Sequence, residues 1–105
     1  MIIADYLYDN GIPFRSDAAL KLPRSQKVVY PDFTILRISD GALIFLEHFG
    51  MMDELEYLDG FFEKKLLYNH EGLYEGKNLI FTFEDRLHPL NIRQIEGSVR
   101  AILTA

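Results

Sequence analysis

The sequence predicts an α/β domain, a four-stranded mixed sheet flanked by helices in the order α-β-β-β-α-β-α. Three observations predict it. Between residues 14 and 49 apolar and polar residues largely alternate, or run apolar between turn signals, as strands do. After Gly50 the apolar spacing changes to the helical period. One further strand, KNLIFTFE, then gives way to Ile92, Ile95, Val99 and Ile102 at helical spacing. A strand that returns through a crossover helix is expected parallel to its neighbour, whereas the first three strands, joined by short turns, form an antiparallel meander.

Each element follows from local signals. MIIADYLYDNG carries apolar residues at 2, 3, 6 and 7 and stops at a glycine, a short helix. PFRSDAALKL places Phe14, Ala18, Leu20 and Leu22 around Ser16 and reads as the first strand. A turn over residues 23–26 leads to a second strand at 27–38, and SDG at 39–41 turns the chain into the third, ALIFLEHF. Asp53, with Glu56 three residues on, resembles a capping box for a helix bearing Leu55, Leu58, Phe62 and Leu66 and ending near residues 70–72.

Composition narrows the function classes. The 105 residues suit a single domain spanning 1–105, either a whole protein or a piece of a longer one. Apolar residues make up 49%, including eight Phe and six Tyr, enough to build a core and to argue against disorder. With no cysteine, disulfide scaffolds and thiolate metal sites are excluded. No apolar run reaches membrane-spanning length and no basic flank marks a signal peptide, so a cytoplasmic protein without membrane contact is expected. The net charge of −5 argues against a general nucleic-acid coat, although Arg15, Lys21, Arg24 and Lys27 against Asp17 leave a local basic edge.

One stretch does not fit a plain strand. In VVYPDFTIL, Asp32 follows Pro31 among residues that pack, and a buried charge needs a partner. A two-residue turn centred on Asp40 and Gly41 would set Leu36 against Phe45, Thr34 against Glu47 and Asp32 against Phe49. Asp32 and Glu47 would then be diagonal neighbours on one face, roughly 6 to 8 Å apart at the backbone. Two carboxylates aimed at one point repel, and a divalent cation relieves the repulsion.

The segments YPDF at 30–33 and LEHFG at 46–50, on the second and third strands of this element order, resemble the PD-(D/E)XK superfamily of restriction-endonuclease-like phosphodiesterases. The resemblance implies a restriction-endonuclease-like core and Mg²⁺- or Mn²⁺-dependent cleavage of nucleic acid, expected to be DNA. It also implies that Asp32, Glu47 and the backbone carbonyl of His48 ligate the ion and that a lysine orients the attacking water. The basic edge of Arg15, Lys21, Arg24 and Lys27 would meet the nucleic acid.

The sequence departs from that pattern in two places. Phe49 stands where the motif has lysine, so the lysine is expected from the following helix, Lys64 rather than Lys65. Lys64 and Tyr68 resemble a K-x-x-x-Y spacing of relatives with E-H-x-G, and on a helical wheel Lys64 lies beside Tyr57, Phe61 and Tyr68. The first-helix glutamate of many relatives is also missing, with only Asp5 and Asp9 nearby; Asp17 substitutes, the site is incomplete, or an upstream segment has been lost. His48 is expected on the opposite face from Glu47, with an accessory role open, and His70 and His88 have no zinc-like spacing. Two readings remain: a metal-dependent endonuclease, or a catalytically inactive nuclease-like module that binds nucleic acid or protein. With no sequence-reading motif, specificity would come from a homodimer or from a further domain of a larger protein.

Overall fold

The computed structural model describes residues 2–104. Helix α1 (Ile2–Asp9) is followed by β1 (Phe14–Ser16), β2 (Leu20–Lys21), β3 (Val28–Val29), β4 (Phe33–Arg37) and β5 (Ala42–Phe49). Helix α2 (Leu55–His70), β6 (Leu79–Phe83) and α3 (Ile92–Leu103) complete the chain. The central sheet runs β1-β4-β5-β6, antiparallel across the first two pairings and parallel between β5 and β6. The four-stranded mixed sheet is therefore the one its alternation and its crossover helix predict.

Two expected strands are each broken in two. The segment 14–22 divides at Asp17, whose φ of 53° lies in the left-handed region, and 27–38 divides around Pro31, which has no N–H to give to a ladder. The detached halves, β2 and β3, pair with each other as a separate two-stranded ribbon. Leu22 of this ribbon is buried against the α2 side of the sheet, and Glu71 just past α2 accepts from the backbone N–H groups of Arg24 (2.8 Å) and Ser25 (2.7 Å). Burial of Leu22 and capture of the 23–26 turn thus draw the ribbon away from the sheet plane.

The β4–β5 register also differs from expectation. Phe33 faces Leu46 and Arg37 faces Ala42, which leaves a four-residue loop at 38–41 in place of a two-residue turn. The reason is local. Arg37 donates to both Asp40 carboxylate oxygens (2.9 and 2.8 Å), the Gly41 N–H bonds to the Arg37 carbonyl (2.8 Å), and Gly41 takes a φ of 73°. Arg37 also donates to the Ile102 carbonyl at the end of α3 (2.8 Å), anchoring the loop. The slip is by two residues, so every side chain keeps its face.

The Asp40 loop carries a pH prediction. Its carboxyl is held down to about 2, first by the Arg37 hydrogen bond and then by the Ala42 N–H. A carboxyl lowered by folding adds stability that is complete above its ordinary value of 3.8 and is lost as the pH falls through about 2. Asp40→Asn is therefore expected to flatten the drop in melting temperature across that window. Parallel curves for the two proteins between these pH values would disprove the link.

Both sheet faces are covered. On one, Phe33, Ile35, Ile44, Leu46 and Ile80 pack against Ile3, Tyr6 and Leu7 of α1 and Ile95, Val99 and Ile102 of α3. Asn91 caps α3, its side chain accepting from the Gln94 N–H (3.0 Å). On the other face Phe45, Phe49, Leu79 and Phe81 pack against Phe61 and Tyr68 of α2.

Helix α2 presents a different stripe from the regularly spaced leucines. Leu55, Phe62 and Leu66 are 81%, 55% and 70% exposed, whereas Phe61 and Tyr68 are buried. Two apolar stripes compete on this helix, and the aromatic one wins because it meets Phe49, Phe81 and Phe83 edge to face. No capping box forms either: Glu54 is the N-cap without a side-chain bond, and Asp53 pairs with Arg86 (2.7 Å).

A candidate carboxylate-lysine site at the broken strand

The site follows from where β4 begins. Because Pro31 interrupts the strand, Asp32 lies one residue before β4 and, by continuation of the ladder, directly opposite Glu47 of β5. Each carboxylate accepts a backbone N–H from across the strand break. The Asp32 N–H donates to Glu47 Oε1 (2.9 Å), and the His48 N–H donates to Asp32 Oδ2 (2.7 Å). The predicted proximity on one face is present, with direct opposition in place of a diagonal.

Glu47 is the only charged residue among the described buried ones, 2% exposed between Phe45 and Phe49. Lys64 on α2 answers its charge, with Nζ 2.6 Å from Glu47 Oε2. The same ammonium lies 5.9 Å from the centre of the Phe49 ring. Tyr68, one turn further along α2, donates its hydroxyl to Glu47 Oε2 at 3.4 Å. Burial first, and the Glu47 carboxylate second, push the Tyr68 hydroxyl well above its ordinary pKa, so it remains a donor. Lys64 is 41% exposed, so the pair reaches solvent along one edge.

Asp32, Glu47, Lys64 and Tyr68 are thus brought together, and the other candidates are not. Lys65 makes no ion pair among the described residues. Asp17 touches the site only through its backbone, its N–H donating to the Asp32 carbonyl (3.2 Å), while its side chain is exposed. Arg15, Lys21, Arg24 and Lys27 are exposed on β1 and the ribbon, and Arg24 also donates to the His70 carbonyl (2.9 Å).

Carboxylate and carbonyl oxygens are the donor type that a hard divalent ion takes. Asp32 Oδ1 carries no hydrogen bond among the described residues. The His48 carbonyl points to the same side of β5 as its N–H, toward Asp32. Among the described residues no group of three or more His, Asp or Glu side chains could hold a metal, and both Glu47 oxygens are engaged, Oε1 by the Asp32 N–H and Oε2 by Lys64 and Tyr68.

His48 does project to the opposite face, where its ring is held at both nitrogens. Nδ1 lies 2.8 Å from Thr82 Oγ1 and Nε2 lies 2.7 Å from Glu84 Oε1, while Glu84 Oε2 accepts from the Leu90 N–H (3.2 Å). These contacts lower the Glu84 carboxyl, the His48 hydrogen bond most. Sequence reasoning missed Thr82 and Glu84; it placed Tyr57 beside Lys64 but not the contact of its hydroxyl, which accepts from the Gly50 N–H (3.0 Å). The one signal was a threonine inside the apolar run LIFTF.

Comparison of the chain with protein-family models, curated proteins and solved structures finds no match. Among the described residues the fold is α/β, with a four-stranded mixed sheet, a two-stranded ribbon and three helices, none of them long and apolar enough to cross a membrane.

Proposed function

We propose that this chain is a metal-dependent nuclease of the PD-(D/E)XK type that hydrolyses nucleic-acid phosphodiester bonds, with DNA as the expected substrate. The observation that carries the reading is the 2.6 Å contact from Lys64 on the crossover helix to Glu47, which itself faces Asp32 across the strand break. A lysine at position 49 would project into the aromatic cluster of Phe61, Phe81 and Phe83 that the Phe49 ring now meets. Helix α2 delivers an ammonium to the same carboxylate from above.

In this reading Asp32, Glu47 and the His48 carbonyl would hold Mg²⁺ or Mn²⁺. When bound there, such an ion would acidify water and neutralise charge developing on the phosphate. Lys64 holds its proton, orients the attacking water and stabilises the phosphate; Tyr68 keeps Glu47 Oε2 turned toward Lys64. Arg15, Lys21, Arg24 and Lys27 take up the phosphate backbone on the ribbon side, and a second copy would be needed to cut both strands of a duplex. A cytoplasmic setting suits such an activity.

A second reading rests on the two amide contacts, because each carboxylate already accepts from a backbone N–H. A catalytically inactive nuclease-like module that binds nucleic acid or protein would use the same fold. A cleavage assay on single-stranded, duplex and branched DNA and on RNA separates the two. The nuclease reading expects products with Mn²⁺ or Mg²⁺ and none with EDTA. Binding without cleavage under every cation establishes the inactive module instead.

A further inference from the structure

Glu84 lies on the sheet face opposite the carboxylate pair and touches none of Asp32, Glu47 or Lys64. Its two oxygens join three segments: His48 Nε2 on β5 (2.7 Å), the Leu90 N–H just before α3 (3.2 Å), and, through the imidazole, Thr82 on β6 (2.8 Å). Thr82 is fully buried and pairs with His48 in the parallel register. The His48 ring therefore has no free nitrogen and no free rotation. His48 is also the residue whose N–H meets Asp32 Oδ2 and whose carbonyl faces the same side. β4 pairing ends at Phe33, so on that edge the end of β5 meets only Asp32, while on the other edge β6 pairs with it as far as Phe49.

We infer that Glu84 is a positioning residue: through His48 and Thr82 it clamps the strand-end peptide of β5, so that Asp32, Glu47 and the His48 carbonyl converge on one ion. This rests on the metal-site reading above. From the far face the clamp adds to the β6 pairing at the place where Pro31 leaves the other edge of β5 without a ladder partner. Gly50 fits the same arrangement, since a Cβ there would stand 3.7 Å from both Glu84 Oε1 and His48 Nε2, in ordinary contact with the clamp.

The test uses Mn²⁺ alone as the probe, with binding measured by electron paramagnetic resonance and hydrogen exchange followed at the His48 amide. Glu84→Ala is expected to weaken Mn²⁺ binding roughly 10- to 100-fold, as loss of a supporting contact does at metal sites. It should also speed exchange of the His48 amide in the metal-free protein. Glu84→Gln, which can still bond the imidazole, should restore most of both. Arg37→Ala, which removes the loop anchor far from the site, should lower the melting temperature and leave Mn²⁺ affinity alone. If Glu84→Ala binds Mn²⁺ as the wild type does, or loses affinity only as much as Arg37→Ala, the positioning role is overturned and the metal site stands. A wild-type protein that binds no Mn²⁺ overturns the metal site itself, and the inference with it.

Discussion

Asp32→Ala and Glu47→Ala are each expected to bring Mn²⁺-dependent cleavage to background, because each removes half of the carboxylate pair. Asp32→Ala should remain folded, since Asp32 is only half-buried and the strand break around it is set by Pro31. Glu47→Ala strips the buried acceptor from the Asp32 N–H and from Tyr68, but frees Lys64 to reach water along its exposed edge. Lys64→Ala is expected to slow cleavage by roughly 10²- to 10⁴-fold, the usual worth of a positioned proton-bearing group, with Mn²⁺ affinity little changed. Lys65→Ala should alter neither. Kinetics of the four variants on one oligonucleotide, with circular dichroism confirming the fold, decide the matter. Full activity in Asp32→Ala would exclude the site.

The largest stability effect is expected at Phe49. Its ring meets Phe61 at 4.8 Å, Phe81 at 5.5 Å, Phe83 at 6.0 Å and Tyr57 at 6.2 Å between centroids, so it stands at the centre of the α2 interface. Phe49→Ala should cost about 3 to 5 kcal/mol, from lost burial and the cavity left behind. In a domain whose total stability is of order 5 to 15 kcal/mol, this is a drop that chemical denaturation reads directly. Loss below about 1.5 kcal/mol, the range of tolerated volume-conserving changes, would show that α2 is not anchored there. Because Lys64 rides on the same helix, the variant should also loosen the Lys64–Glu47 contact.

The fold was legible where one signal decided it. Alternation, the change of period after Gly50 and the crossover helix were enough to place four strands and three helices in order. Register was not legible, since Asp40 in SDG suggests a tight turn, and only the reach of Arg37 to both Asp40 and the end of α3 shows why the loop has four residues. The carboxylate pair survived that error because a slip by an even number of residues preserves the face. Leu55, Phe62 and Leu66 misled for a different reason: spacing identifies a stripe, but the aromatic surface of the sheet selects which stripe it buries. Lys64 was legible only through the resemblance, by its K-x-x-x-Y spacing to Tyr68; taken alone, the Lys64–Lys65 pair reads as a solvated helix face. Glu84 was not, because the register of a parallel pair joined by a long crossover is set by packing and has no mark in local sequence.

The central claim is that Asp32 and Glu47 together bind one divalent ion. Titration of the metal-free protein with Mn²⁺, followed by electron paramagnetic resonance, tests it without requiring the right substrate. The account predicts one Mn²⁺ per chain in the wild type and none in Asp32→Ala at the same concentrations. A wild type that binds no Mn²⁺, or an Asp32→Ala protein that binds it equally well, contradicts the account.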